Sequence, residues 1–145
     1  MQMFLISDNI DTYTGMRLAG VEGVVVHERD ELKDALEKAI ANGETLYETD
    51  IETMLQKRRA EMPGYFEDSF STIAAYGTNA AMMHYHAEGE VNSVIEPHGF
   101  LLVDNGGQYD CGTTDITRTY PVGPLTDNER RYYTCLLYTS PSPRD

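Results

Sequence analysis

The chain has 145 residues and a formal net charge of −13, from 24 acidic and 11 basic side chains. This length suits one modest domain, and an acid excess without a basic stripe excludes a nucleic-acid partner. No apolar run approaches the roughly 20 residues that cross a bilayer, and the opening MQMFLISDN lacks the basic start of a secretory signal. Two cysteines without a CxxC pair favour reduced thiols, so we expect a cytoplasmic protein with no membrane partner.

Residues 1–43 have the pattern of the start of an α/β unit. MFLIS and VVVH predict two short buried strands, with a helix in TYTGMRLAGV between them. A second helix is predicted after Asp30, and Asn42 and Gly43 end it. Its apolar face consists of Leu32, Ala35, Leu36, Ala39 and Ile40. No third strand follows, so these residues predict an incomplete βαβα fragment.

The pattern changes after this fragment. Thr45 and Glu48 form a capping-box pattern and predict a helix that ends at Pro63 and Gly64. Its apolar face is predicted to contain Tyr47, Ile51, Met54, Leu55 and Met62. SFSTIAAYG, AAMMHYH, GFLLVDNGG and CGTTDITRTYPVG each predict a strand. The tail YTSPSPRD, residues 138–145, has no periodicity and predicts disorder.

Two aspartates lie on either side of a turn-rich segment. Asp104 ends the apolar run FLLVD, and Asp115 lies within the following strand. The intervening NGGQYDCG predicts an antiparallel hairpin that brings the two carboxylates together. Adjacent carboxylates repel each other unless a cation compensates, and oxygen ligands favour Mn²⁺, with Zn²⁺ and Co²⁺ as alternatives. Spaced acids of this kind also cap loops, so the pair alone leaves both interpretations open.

The longer run LLVDNGGQYDCGTTDITRTYPVG resembles the metal-binding core of the pita-bread metallopeptidases, also called M24. Together with SFSTI and YGTNAAMMHY, it is similar to their aminopeptidase P, or Xaa-Pro aminopeptidase, branch over residues 44–137. The resemblance implies an α+β fold, a truncated pita-bread (creatinase/aminopeptidase) catalytic domain preceded by the βαβα fragment. It also implies a hydrolase with two divalent metal ions that acts on peptides with proline at the second position, in a parent enzyme that is a homo-oligomer.

The resemblance assigns roles residue by residue. Asp104 corresponds to the aspartate that chelates one metal, Asp115 to the aspartate that bridges both, and His84 to a catalytic histidine that contacts the scissile peptide. The implied mechanism is two-metal hydrolysis, with a glutamate as general base and histidines that steady the tetrahedral intermediate. One histidine and two glutamate ligands, and the general base, find no counterpart in residues 44–137. We therefore expect the chain as given to be inactive.

Other polar residues near the motif receive supporting roles. Arg118 is predicted to brace neighbouring carboxylates, because a guanidinium stays charged and forks onto them. Cys111 is predicted to be a small buried filler. The remaining residues are strand-packing or ligand-supporting threonines and surface histidines: Thr113, Thr114, Thr117, His86 and His98.

Residues 1–43 carry a second resemblance. The pieces SDN, TGMRLAGV and VVVHERDE are similar to the start of a small α/β protein of V-type ATPases, the rotor-stalk component designated F. This resemblance suggests two unrelated coding pieces joined near residues 41–44. A rotor-stalk assembly protein without a metal, and a non-catalytic pita-bread binding module, are therefore the alternatives to an enzyme.

Overall fold

The structure, a computed structural model, describes the backbone of residues 4–7 and 22–25, residues 34, 36, 38, 42 and 43, and residues 45–139. Its strands are β1 (Phe4–Ser7), β2 (Glu22–Val25), β3 (Tyr65–Asp68), β4 (Ile73–Tyr76), β5 (Phe100–Asn105), β6 (Gly107–Tyr109), β7 (Gly112–Thr113) and β8 (Ile116–Pro121). Its α-helices are α1 (Glu48–Ala60) and α2 (Asp127–Thr139), and a 3₁₀ helix covers Gly77–Ala81. Across these described ranges, neither α-helix is both long and apolar enough to span a bilayer.

The first two strands agree with the sequence pattern. β1 and β2 pair in parallel, from Phe4 opposite Glu22 to Ser7 opposite Val25, although β2 begins two residues before the predicted VVVH. Residues 34, 36 and 38 are helical, and Gly43 turns the chain with a φ of +69°. That left-handed conformation suits glycine and explains why the helix ends there. The predicted helix at residues 12–21 and the cap at residue 30 lie outside the described residues.

Helix α1 starts later than predicted. Its N-cap is Tyr47, whose backbone N–H donates to Asp50 Oδ2 at 2.8 Å. The predicted capping box of Thr45 and Glu48 is therefore wrong: Asp50 occupies the third helical position, and the side chain of Glu48 is buried instead. The predicted apolar face is confirmed for Ile51, which is buried, and for two residues packed against the core, Met54 and Leu55, whereas Tyr47 and Met62 are exposed.

A three-stranded antiparallel sheet of order β4-β5-β8 forms the main body, and β3, β6 and β7 form a second sheet. β5 and β8 pair from Phe100 opposite Pro121 to Asn105 opposite Ile116, and β6 and β7 continue the same register to Tyr109 opposite Gly112. The predicted hairpin is confirmed. Its second arm is not the single strand predicted from CGTTDITRTYPVG, because residues 114 and 115 interrupt the ladder.

The strand predicted from AAMMHYH is wrong. Gly77, with a φ of +56°, turns the chain out of β4 into the 3₁₀ helix, and residues 82–86 follow as turn and loop. The local sequence alternates poorly, and buried polar contacts of Asn79 and Tyr85 hold this segment away from the sheet edge. Tertiary contacts here outweigh the strand propensity of the segment.

The core lies between α1 and the inner face of the sheet. It contains Leu36, Ile51, Ala74, Ile95, Leu101, Val103, Tyr120 and Val122. Leu36 belongs to the N-terminal 43 residues, so that region contributes to the same core as the sheet. Helix α2 includes Tyr138 and Thr139, the first two residues of the predicted disordered tail, and the rest of that tail lies outside the described residues.

Candidate metal site and its supporting network

Asp104 and Thr117 face each other across the β5–β8 pair. The two residues are direct partners in the antiparallel register, and Thr117 Oγ1 donates to Asp104 Oδ1 at 2.7 Å. Their side chains therefore lie on one face of the sheet. This hydrogen bond orients the carboxylate of Asp104, and the ligand-supporting role of Thr117 stays a prediction.

Asp115 immediately precedes β8 and lies two residues before Thr117. Residues two apart share a face where the chain is extended, so this spacing predicts that Asp115 lies on the side of the sheet that carries Asp104 and Thr117. The exposure pattern agrees, because Asp115 and Thr117 are exposed while Ile116 between them is half-buried. Within residues 45–139, the Asp115 carboxylate makes no hydrogen bond or ion pair and is available to a ligand.

The position opposite Asp115 in the continued register is Gly106, and only glycine fits there. A Cβ atom at Gly106 would lie 2.0 Å from the carbonyl oxygen of Thr114 and 2.5 Å from Ser69 Oγ. Ser69 Oγ itself donates to the Thr114 carbonyl at 3.0 Å. The glycine-rich bend thus allows three chain segments to meet directly beside the two aspartates.

His84 lies in the turn after the 3₁₀ helix. It is exposed and has a φ of +57°, the one non-glycine residue with a positive φ among the described residues. A left-handed conformation at a non-glycine residue costs on the order of 1–3 kcal/mol and persists only where the surroundings enforce it. The strain at His84 indicates that its backbone is fixed by neighbouring contacts rather than by local preference.

Those contacts centre on Glu48, a carboxylate with 0 % exposure. Glu48 Oε1 accepts from the backbone N–H of Tyr76 at 2.6 Å and from Asn79 Nδ2 at 3.0 Å. Glu48 Oε2 accepts from the Tyr85 hydroxyl at 2.6 Å and from the backbone N–H of Ser93 at 2.8 Å. One buried side chain therefore ties α1 to the whole segment between residues 76 and 93.

Arg59 forms a second buried network at the other end of α1. Its Nε donates to Asp68 Oδ1 at 2.9 Å, its Nη1 to Asn105 Oδ1 at 2.9 Å and its Nη2 to Thr72 Oγ1 at 2.7 Å. Asp68 belongs to β3, Thr72 immediately precedes β4, and Asn105 ends β5 directly after Asp104. The guanidinium therefore fixes the side chain of Asn105, the residue that follows Asp104.

Burial and hydrogen bonding shift the pKa of three groups in these networks. Burial, which would raise the pKa of Asp68, is outweighed by the hydrogen bonds from Arg59 and Tyr65, so that this pKa lies below its usual range. Burial, followed by the hydrogen bond to Glu48, raises the pKa of Tyr85 far above its usual range. Burial also raises the pKa of Glu52, whose Oε1 is buried and finds no hydrogen-bond partner among the residues that the structure describes.

The buried networks of Glu48 and Arg59 were not predicted, although the pattern of α1 contained a signal for two buried charged residues. Both lie on the same face of α1 as Ile51 and Leu55, at spacings of three, four and four residues. A charged side chain on an apolar helical face is buried at high cost unless it is paired, so such a position predicts a polar partner elsewhere in the fold.

Other sequence-based assignments have mixed outcomes. Arg118 Nη1 donates to the Thr117 carbonyl at 2.8 Å, and its role as a brace for carboxylates stays a prediction. Cys111 is exposed at the tip of the hairpin, so the prediction of a buried filler is wrong: the β6–β7 turn points away from the core. His86 and His98 are exposed, as predicted, and His98 pairs with Glu129 at 3.2 Å.

The donor set fits part of a metal site. Asp104 keeps Oδ2 available while Thr117 holds Oδ1, and the Asp115 carboxylate has no partner among residues 45–139. Within the described part of the chain, no group of three or more histidine, cysteine, aspartate or glutamate side chains is arranged to hold a metal ion. These residues alone therefore offer two carboxylate ligands of the kind that Mn²⁺ prefers, and further donors must come from elsewhere.

Comparison with known proteins matches the sequence of this chain to one family. Residues 24–139 match metallopeptidase family M24. A probable Xaa-Pro aminopeptidase P from Paracoccidioides brasiliensis (strain Pb03) is 41% identical over 103 residues, which are 70% of this chain and 17% of that protein. The chain thus spans about a sixth of the length of such curated relatives.

Comparison with solved structures supports the same family. The X-prolyl aminopeptidase from Caenorhabditis elegans, a cytosolic enzyme with a di-nuclear active site, has a TM-score of 0.63 and 32% identity over 68% of this chain and 16% of its own. The prolidase from Pyrococcus furiosus has a TM-score of 0.57 and 27% identity over 74% of this chain and 32% of its own. The predicted α+β, truncated pita-bread fold is confirmed. The predicted boundary at residue 44 stays a prediction, and the family match begins 20 residues before it.

Proposed function

This chain belongs to metallopeptidase family M24, and on that premise we propose that it is a segment of a dinuclear-metal aminopeptidase that hydrolyses the N-terminal Xaa-Pro peptide bond. The observation that carries the proposal is the hairpin that pairs Asp104 with Thr117 and places Asp115 two residues away. The 41% identity to a probable Xaa-Pro aminopeptidase P over 103 residues supports the choice of substrate.

Asp104 and Asp115 are the residues of this chain that would hold the metal ions. Two divalent cations, when bound, polarise the scissile carbonyl and lower the pKa of the attacking water. Mn²⁺ is the proposed metal, with Zn²⁺ and Co²⁺ as alternatives, because both ligands from this chain are carboxylates. Thr117 fixes one oxygen of Asp104 by its 2.7 Å hydrogen bond and so limits the rotation of the carboxylate.

His84 is the proposed catalytic residue of this segment. Its exposed imidazole carries nitrogen donors that can hydrogen-bond the carbonyl oxygen of the scissile peptide as negative charge develops there. Such a donor is effective only if its position is fixed before the reaction, because a misplacement of about 1 Å can lower the rate about 100-fold. The strained backbone at His84 is the kind of feature that a fixed donor requires.

We propose that the chain as given is inactive. Two carboxylates out of the five ligands that the family resemblance implies should bind divalent cations weakly, and no general base has been assigned in residues 44–137. We further propose a cytoplasmic location, by analogy with the cytosolic enzyme from Caenorhabditis elegans. A homo-oligomeric parent enzyme with peptides as its partners completes the proposal.

The origin of residues 1–43 is a separate proposal. Their resemblance to the V-type ATPase rotor-stalk protein suggests a junction near residues 41–44, whereas Leu36 packs in the common core and the family match begins at residue 24. A long genomic read across codons 38–48 decides whether residues 1–43 belong to the same gene as the rest of the chain or were joined to it. A continuous reading frame with the same junction in independent clones would contradict a joining artefact.

A segment exchange tests the function directly. Residues 44–137 replace the matching segment of a full-length Xaa-Pro aminopeptidase P, and release of the N-terminal residue is measured on an Xaa-Pro peptide and on its Xaa-Ala counterpart. We expect release of the N-terminal residue from the Xaa-Pro peptide and no release from the Xaa-Ala peptide. The variants Asp104→Asn and Asp115→Asn should each lower kcat by more than about 100-fold, since each removes a metal ligand.

The exposed acid Glu90 provides the matched control, because Glu90→Gln also removes one carboxylate and lies outside the hairpin. Full activity in Asp104→Asn or Asp115→Asn would overturn the proposed ligands. An inactive exchange enzyme that still folds and binds metal would overturn the proposed function. The chain of 145 residues, assayed alone with Mn²⁺, should release no N-terminal residue, and measurable release would refute its inactivity.

A further inference from the structure

The buried carboxylate of Glu48 is connected to the segment that carries His84. Its four donor groups come from residues 76, 79, 85 and 93, which lie on both sides of His84 in the chain. The first turn of α1 is also joined to this region, since the backbone N–H of Glu48 donates to the Ser93 carbonyl at 3.2 Å and Asn92 Nδ2 donates to Thr49 Oγ1 at 3.0 Å. The loop is thus fixed at both of its ends by one turn of helix.

Within residues 82–86, Tyr85 is the buried residue. Its side chain is 2 % exposed, whereas Met82, Met83, His84 and His86 are all exposed. Its hydroxyl donates to Glu48 Oε2 at 2.6 Å and lies 3.0 Å from Asn79 Nδ2. Because residue 85 is covalently adjacent to His84, the burial of this ring sets the direction in which the chain passes through position 84.

His84 has no hydrogen bond of its own within residues 45–139 that would set its place. Its neighbours therefore fix its position. Its φ of +57° lies in the left-handed region, which a non-glycine residue seldom adopts without such contacts. A carboxylate suits the anchoring role because it accepts several hydrogen bonds at once and because bonds to a charged acceptor are shorter and stronger.

We infer that Glu48, acting through the Tyr85 hydroxyl, is the positioning residue that holds His84 in its strained conformation for catalysis. This inference rests on the proposed function for the role of His84. Glu48 itself touches no reacting atom, because it is completely buried beneath the loop.

The variant Tyr85→Phe tests the inference, because it removes one hydroxyl and keeps the buried ring. Tyr65→Phe is the matched control: its hydroxyl also donates to a carboxylate, Asp68 Oδ1 at 2.8 Å, in the other network of the molecule. In the full chain, NMR follows the imidazole signals of His84 and the hydrogen exchange of the backbone amides at residues 83–85. Glu48→Gln is the second variant, and circular dichroism establishes that each protein is folded.

We expect Tyr85→Phe to shift the His84 signals and to speed the exchange of these amides about tenfold, and Tyr65→Phe to change neither. Glu48→Gln should shift the same His84 signals. In the exchange enzyme, Tyr85→Phe should lower kcat about tenfold with KM and metal content unchanged. Unchanged His84 signals in Tyr85→Phe, or an equal response to Tyr65→Phe, would overturn the inference.

The activity assay tests the proposed function, and the NMR comparison tests the inference independently of it. An inactive exchange enzyme counts against the proposed function, while the NMR comparison still decides whether Glu48 and Tyr85 position His84. A loss of metal in Tyr85→Phe would mean that the variant acts through the aspartates, and this result would also overturn the inference.

Discussion

Replacing Glu48 by glutamine should destabilise the fold far more than its conservative chemistry suggests. The carboxylate accepts from Tyr76 N–H and Asn79 Nδ2 on one oxygen and from Tyr85 OH and Ser93 N–H on the other. A glutamine amide offers a single acceptor oxygen, and its NH₂ group must face one of these two pairs of donors.

The less unfavourable orientation places the NH₂ group beside Tyr85, whose hydroxyl can rotate to accept a hydrogen bond. The backbone N–H of Ser93 then loses its acceptor, whereas the opposite orientation leaves the N–H of Tyr76 unpaired. An unpaired buried donor costs about 1–3 kcal/mol, and the loss of charge from the remaining bonds adds to this, so we expect about 2–4 kcal/mol in total.

Urea unfolding followed by far-UV circular dichroism measures this loss, since the chain has no tryptophan to report by fluorescence. Glu61→Gln is the control near the end of the same helix, because Glu61 is 52 % exposed and pairs with Arg58 at the surface. We expect a change below about 0.5 kcal/mol there. A Glu48→Gln protein as stable as Glu61→Gln would refute the account of the buried network.

Three further variants probe other parts of the structure. Gly106→Ala should destabilise the chain by about 1–3 kcal/mol in urea unfolding, because its Cβ would meet the Thr114 carbonyl at 2.0 Å, whereas Gly112→Ala, with no atom within 4 Å, should not. Arg59→Met should cost about 3–5 kcal/mol, because it removes the buried side of the Arg59–Asp68 ion pair, and a loss no larger than that of Arg58→Met, at a side chain that is 64 % exposed, would contradict this. Burial raises the pKa of Glu52 above 4.5, so folding favours its neutral form and its charge lowers stability at neutral pH. Glu52→Gln should therefore raise the Tm at pH 7 and raise it less at pH 4. Equal gains at both pH values would contradict the burial of a charge as the cause.

Some of the elements that local sequence specifies were predicted correctly. The hairpin itself follows from an apolar run, a glycine-rich turn and a second strand. Its register, which pairs Asp104 with Thr117, was not predicted and comes from the structure. The sequence motifs indicated the family, and comparison with known proteins confirmed it.

The errors came from contacts between distant parts of the chain. Glu48 has the spacing of a capping-box residue, but the donors that bury it lie 28 to 45 residues away. The same donors draw Tyr85 inward, so AAMMHYH becomes a helix and a turn although its composition allows a strand. Local patterns cannot reveal a polar partner that only the tertiary fold brings close.

Binding of Mn²⁺ to the chain itself tests the central claim most directly. Small additions of Mn²⁺ broaden the NMR signals of nearby nuclei even when binding is weak, so the broadened amides locate the cation. We expect broadening centred on Asp104, Asp115 and Thr117 that Asp104→Asn abolishes. Broadening centred on other acidic residues, or an unchanged pattern in Asp104→Asn, would contradict the assignment of these aspartates as metal ligands.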